Sequence, residues 1–184
     1  MFIQTEATPN PATLKFLPGR EVAASRLTEY RSAAEAQASP LAAALFSIEG
    51  VSQVFLGDDF VSVTKSAGEW VHLKPSILGA IMEHFVSGAP VFIGPAQDRG
   101  DEEFFDSADA DTVEQIKDLL ETRVRPAVAG DGGDIRFRGF RDGTVYLAMK
   151  GACSGCPSST ATLKHGIQNL LKHFVPEVQA VEQI

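Results

Sequence analysis

The sequence predicts an α+β protein of two small α/β domains joined by an acidic linker, each domain a β-hairpin packed on helices. Three observations carry that expectation. From Ala89 to Ala108 five acids (Asp98, Asp101, Glu102, Glu103, Asp106) accompany one base (Arg99), so this stretch supplies -4 of a formal net charge of -8. Self-repulsion should keep it extended. Two stretches, 51 to 65 and 135 to 149, alternate apolar and polar residues about a Gly/Asp turn, the period of a half-buried hairpin. Each is followed by a loop and then by a proline that opens a helical apolar stripe.

With 184 residues, 44% hydrophobic and 22% charged, the chain can fill two small cores. Residues 1 to 88 carry six bases and nine acids (-3), and 109 to 184 carry nine and ten (-1), so each flank of the linker is close to balance. The acidic total disfavours nucleic acid or an anionic membrane as main partner and favours other soluble proteins. No run of eighteen apolar residues occurs, and the opening Met-Phe-Ile-Gln-Thr-Glu has neither the basic and apolar regions of a secretory signal nor the Arg-rich amphipathic character of a transit peptide.

In chain order, Phe2-Ile3-Gln4 and Thr13 to Phe16 read as strands about an Asn-Pro turn. Pro40 opens a short Ala-rich helix ending near Ile48. The hairpin Val51 to Lys65 turns at Gly57-Asp58-Asp59. After a loop containing Trp70, a helix is expected from Pro75 through Ile77, Ile81 and Phe85 to a C-cap at Gly88. Beyond the linker, Val113, Ile116, Leu120 and Val124 recur at helical spacing until Pro126, expected to stop the helix. Gly130 to Asp134 turns the chain into the hairpin 135 to 149, closed by Asp142-Gly143. Pro157 then opens a helix with its stripe at Leu163, Ile167, Leu170, Leu171 and Phe174, and a last strand spans Val178 to Val181.

The loop between that hairpin and that helix holds the chain's two cysteines, as Cys153-Ser-Gly-Cys156-Pro157. A cluster or a structural zinc is usually held by four ligands, so one such pair is half a site. A second copy of the chain is the simplest source of the rest, and a half-site on each protomer of a homodimer releases its cargo easily. Gly151, Ala152, Ser154 and Gly155 leave room for an inorganic cluster to approach the backbone. Cys156 at the helix start should be favoured as thiolate by the free N–H groups of the first turn, with Lys150 adding to the effect. Two cysteines three apart make no disulfide framework, which suits a reducing compartment.

Residues 131 to 182, from Asp-Gly-Gly-Asp-Ile through Gly-Ala-Cys-Ser-Gly-Cys-Pro-Ser-Ser-Thr-Ala-Thr-Leu-Lys to Val-Pro-Glu-Val, closely resemble the NifU-like C-terminal domain of Nfu-type iron-sulfur carriers. Thr5-Glu-Ala-Thr-Pro-Asn-Pro11 and Gly57-Asp-Asp-Phe-Val-Ser-Val-Thr-Lys65 are similar to the N-terminal domain that accompanies it in alphaproteobacterial and mitochondrial members. The resemblance divides the chain into an Nfu N-terminal-type domain (1 to 88), the linker (89 to 108) and a NifU-like cluster-binding domain (109 to 184). It implies that Cys153 and Cys156 of two protomers ligate a [4Fe-4S] cluster, with [2Fe-2S] as the other form, received from upstream assembly proteins and passed to apo iron-sulfur client proteins without enzymatic catalysis. The expected setting is the bacterial cytoplasm.

Two other uses of the pair stay open: a thiol-disulfide oxidoreductase cycling between dithiol and disulfide, and a four-thiolate zinc site between two chains. His72, His84, His165 and His173 are expected to be solvated, and the Asp131 to Asp134 turn to serve backbone geometry. Arg123, Arg125, Arg136, Arg138 and Arg141 are expected to form a local basic surface, mostly solvated, that could otherwise dock an acidic partner or the linker.

Overall fold

The computed structural model describes residues 1 to 95, 102 to 154 and 156 to 184, and divides into two compact units, Met1–Ala96 and Gln97–Ile184.

In the first unit five strands form one antiparallel sheet: β1 (Gln4–Ala7), β2 (Thr13–Leu17), β3 (Thr28–Tyr30), β4 (Val51–Leu56) and β5 (Val61–Lys65), in the order β1-β2-β5-β4-β3. Alternation along β2, β4 and β5 buries Phe16, Val54, Leu56, Val61 and Val63 against α1 (Pro40–Phe46) and α2 (Trp70–Ser87), which contribute Leu41, Leu45, Ile77 and Ile81. Each such fully buried side chain contributes about 1.5–3 kcal/mol. Ser39 caps α1 by accepting from the Ala42 N–H at 3.2 Å, and Pro40 fits the first helical position.

Three expectations shift here. β1 begins at Gln4 rather than Phe2, whose side chain is exposed. β3, three residues long, was too short to show a period. The second helix begins at Trp70 instead of Pro75. Its start is anchored where the Trp70 indole donates to Pro11 O at 3.1 Å and the Lys65 ammonium lies over the ring, and the helix runs through the proline with only that one donor missing. Gly88, at φ 72, ends it as its sequence position implies.

The linker segment contributes to both units at its ends. Val91 and Phe92 pack on the first core, Ser39 Oγ donates to Val91 O (2.6 Å), the Ile93 N–H donates to Ala38 O (2.8 Å), and Arg26 donates to Gly94 O and Pro95 O while stacking on Phe92. Phe104–Phe105 forms a short strand of the second unit. Asp98, Arg99 and Asp101 lie outside the described residues.

The second unit sets β6 (Phe104–Phe105), β7 (Gly133–Arg141), β8 (Thr144–Gly151) and β9 (Ala180–Gln183) in the order β6-β7-β8-β9, with β7 and β8 antiparallel and both outer pairings parallel. Asp142 (φ 52) and Gly143 (φ 75) make the tight turn that right-twisted strands require. The helices α3 (Ala110–Leu119), α4 (Arg125–Gly130) and α5 (Pro157–Phe174) bury Val113, Ile116, Val128, Ile167 and Leu171 on one face of the sheet.

Pro126 does not stop its helix. A π turn, Leu120–Val124, precedes it, and Pro126 sits at the first positions of α4, where its missing N–H costs little. The apolar stripe consequently extends to Val128. Of the α5 stripe, Phe174 is 44% exposed, with the Arg123 guanidinium stacked over its ring. The last strand starts at Ala180, Val178 being buried in the turn before it.

Candidate functional site

The cysteine loop leaves the end of β8 and enters α5. Gly132 (φ 82) and Gly151 (φ 71) hold left-handed backbone on either side of it, and the Ala152 N–H donates to Gly132 O at 3.2 Å. Ser154 donates to Gly151 O through both its N–H (3.1 Å) and its Oγ (3.0 Å). Thr160 Oγ1 donates to Cys153 O (2.7 Å) and the Thr160 N–H to Cys156 O (2.9 Å), tying the loop to the first turn of α5. Gly133 is a steric requirement, since a β-carbon there would stand 2.7 Å from Lys150 O and 2.8 Å from Cys153 Sγ. Gly155 lies outside the described residues.

The two thiols are unequal. Cys153 belongs to the apolar core of the domain, and burial, with the carboxylates of Asp131 and Asp134 adding to it, pushes its pKa up to about 12. Cys156 is half-exposed at the N-cap of α5. The hydroxyls of Ser158 (3.5 Å) and Ser159 (3.4 Å) hydrogen-bond its sulfur and draw its pKa down to about 7. Lys150 is not among the groups that shift either thiol. Among the described residues no group of three or more His, Cys, Asp and Glu side chains converges to hold a metal ion.

Beside the loop lies a feature the sequence reading missed. Asp134 is 2% exposed and accepts from Arg125 Nε (2.9 Å) and Arg136 Nε (3.2 Å), while Arg125 also pairs with Glu121. The turn that was expected to serve backbone geometry thus ends in a buried carboxylate that fixes α4 to β7. Two of the five arginines expected on a shared basic surface are engaged here, and Arg123 and Arg141 stack on Phe174 and Phe104. The signal was present: Asp134 and Arg136, two apart on a strand, share a face.

His72, His165 and His173 are exposed as expected. His84 is not. It is 6% exposed on the core side of α2, its Nε2 has no partner, and burial lowers its pKa.

The sequence matches two family models: "Scaffold protein Nfu/NifU N terminal" over residues 3–88 and "NifU-like domain" over residues 116–182. Among curated relatives, the human "NFU1 iron-sulfur cluster scaffold homolog, mitochondrial" is 50% identical over 188 residues, covering 100% of this chain and 72% of its own length. The Arabidopsis thaliana "NifU-like protein 4, mitochondrial" is 50% identical over 186 residues, with 100% of this chain and 66% of the relative covered. The Drosophila virilis relative, with the same name as the human one, is likewise 50% identical, and this chain spans 62% of it. A solution structure of a NifU-like protein from Saccharomyces cerevisiae aligns with 52% of this chain and 87% of its own at 27% identity and a TM-score of 0.47. The expected bacterial cytoplasmic setting is overturned by these relatives, which are named as mitochondrial proteins in human, fly and plant.

Proposed function

The chain belongs to the Nfu/NifU family of iron-sulfur scaffold proteins, and from that premise we propose that it carries a [4Fe-4S] cluster between the Cys153 and Cys156 pairs of two protomers and transfers it to apo proteins in a mitochondrial setting. The observation that carries this reading is the donor count: the full sequence contains two cysteines, both on one loop, where a four-iron cluster takes four. The unequal thiols suggest an order of ligation. Cys156, half-exposed and near its midpoint at neutral pH, binds iron first; Cys153 must release its proton to solvent and leave the core, so its ligation needs the metal to be present. The reverse order favours release, because Cys153, once a client thiol has ligated in its place, takes up the proton that the client thiol gives up to solvent and returns to its buried neutral state. Exchange of one thiolate for another requires no catalytic base, in keeping with a carrier.

Anaerobic reconstitution tests the proposal. Roughly four iron and four sulfide per dimer are expected, with visible absorbance lost in Cys153→Ser and Cys156→Ser. Sedimentation should show metal and dimer appearing together, and a cluster held by a monomer would contradict the shared site. One observation favours a second reading: a low-pKa exposed thiol beside a high-pKa buried one is also the pattern of a dithiol oxidoreductase. Dithiol turnover by colourless protein would select it.

A further inference from the structure

The sheet of the second unit has two unlike faces. Ile135, Phe137, Val145, Leu147 and Met149 point into the core with the helices. The residues between them, Arg136, Arg138, Tyr146, Ala148 and Lys150, point the other way and are half-buried. The register sets Arg136 beside Ala148 and Gly139 beside Tyr146. At the β6 edge the Phe104 ring lies over Gly139, where any side chain would collide with it, and is 5.1 Å from the Tyr146 ring. The Arg141 guanidinium stands 5.3 Å from the Phe104 centroid. Glu182, beside Tyr146 on β9, is held by Lys164 at 2.9 Å. Arg136 on this face is paired with the buried Asp134, so the face combines the cations Arg138, Arg141 and Lys150 with two aromatic rings and a small residue at its centre. It ends at Lys150, one residue before Gly151 and the cysteine loop.

We propose that this face docks an acidic protein surface with an apolar centre, the contact patch of a partner that receives the cluster; this rests on the carrier reading above. Arginine, tyrosine and phenylalanine are the residue types that carry energy at protein interfaces. A second copy of the chain does not fit, because a two-fold contact would set the same cations against each other. The rest of the molecule supplies the selection. With a net charge of -8, most of its surface repels an acidic partner, so the attraction that remains steers it to this face, whose Lys150 end leads into the cysteine loop.

The test uses the cluster-loaded full chain as donor and the apo form of an acidic bacterial-type [4Fe-4S] ferredoxin as acceptor. Transfer should be fast at low salt and slow as salt rises. Ala148→Glu, which adds a negative charge at the centre of the face without removing an existing pair, and the double variant Arg138→Glu/Arg141→Glu should each slow transfer about tenfold or more and lose the salt dependence. Their cluster content and rate of cluster loss to a chelator should match the wild type. A ferredoxin with its surface carboxylates replaced by lysines should restore the rate with the double variant. Equal transfer by wild type and variants would overturn the proposal, as would single-stranded poly(U) RNA binding that the variants abolish while transfer is unchanged. Titration calorimetry of the metal-free chain with the ferredoxin reads the face without the cargo: binding lost in both variants supports it, binding retained overturns it, and neither depends on whether the wild type takes up a cluster.

Discussion

The inequality of the two thiols has a chemical signature that can be worked through. At pH 7 a thiol with a pKa of about 7, as for Cys156, is half thiolate, whereas one at about 12, as for Cys153, is thiolate in roughly one molecule in 10⁵. Intrinsic nucleophilicity rises with pKa at a slope of about 0.4–0.5, which returns roughly two powers of ten to Cys153. A rate ratio of roughly 200–500 remains before its burial is counted. Metal-free protein treated anaerobically with iodoacetamide, and followed by mass spectrometry of the cysteine peptides, should therefore label Cys156 alone. Its rate should rise with a midpoint near pH 7 and level off above, and Ser158→Ala/Ser159→Ala should move that midpoint upward. Labelling of both cysteines within tenfold of each other at pH 7, or a Cys156 midpoint at the ordinary thiol value of about 8.5, would refute the reasoning.

Gly133→Ala pushes a methyl group against Lys150 O and Cys153 Sγ, so a loss of about 1–3 kcal/mol in urea denaturation is expected together with faster labelling of the displaced Cys153; an unchanged midpoint would mean the loop has slack there. Asp134→Ala leaves Arg125 and Arg136 without their buried partner; because both guanidinium groups are part-exposed, the loss should be about 2 kcal/mol rather than the full cost of a deeply buried pair, and a value under about 0.5 would show the carboxylate to be dispensable. His84 has its folded-state pKa lowered by burial, so the unfolded chain takes up a proton first as pH falls through about 6.5. Stability present above that pH is then lost below it, and thermal melts at pH 7.5 and 5.5 should show a decrease that His84→Leu reduces. An increase on acidification would contradict the burial.

Much of this architecture was legible in the sequence because it rests on short-range rules. The Asp142-Gly143 turn, the Gly88 cap, Pro157 at a helix start and the alternation through β7 and β8 are each decided by neighbours within a few residues. What escaped notice depended on contacts distant in sequence. Trp70 begins α2 because Pro11 lies across from it, whereas the sequence pattern points to Pro75, which lies inside the helix. Pro126 reads as a stop in the sequence because a π turn leaves no mark in the apolar spacing. The cysteine pair is plain in the sequence, yet its division into a core thiol and a half-exposed thiol follows from which side of the loop meets the domain core, something that spacing does not encode. For the buried Asp134 the spacing shows one partner, Arg136 on the same strand, but not the other, Arg125, which arrives from a helix.

The segment after α2 bears on how the first unit can be isolated. The similarity to the N-terminal family ends at residue 88, but a fragment severed there would lose the lid that Val91 and Phe92 place over the apolar floor, and Arg26 would lose the ring and carbonyls that hold it. Such a truncation would be sticky and prone to clump, whereas one carried to Pro95 would keep its own seal.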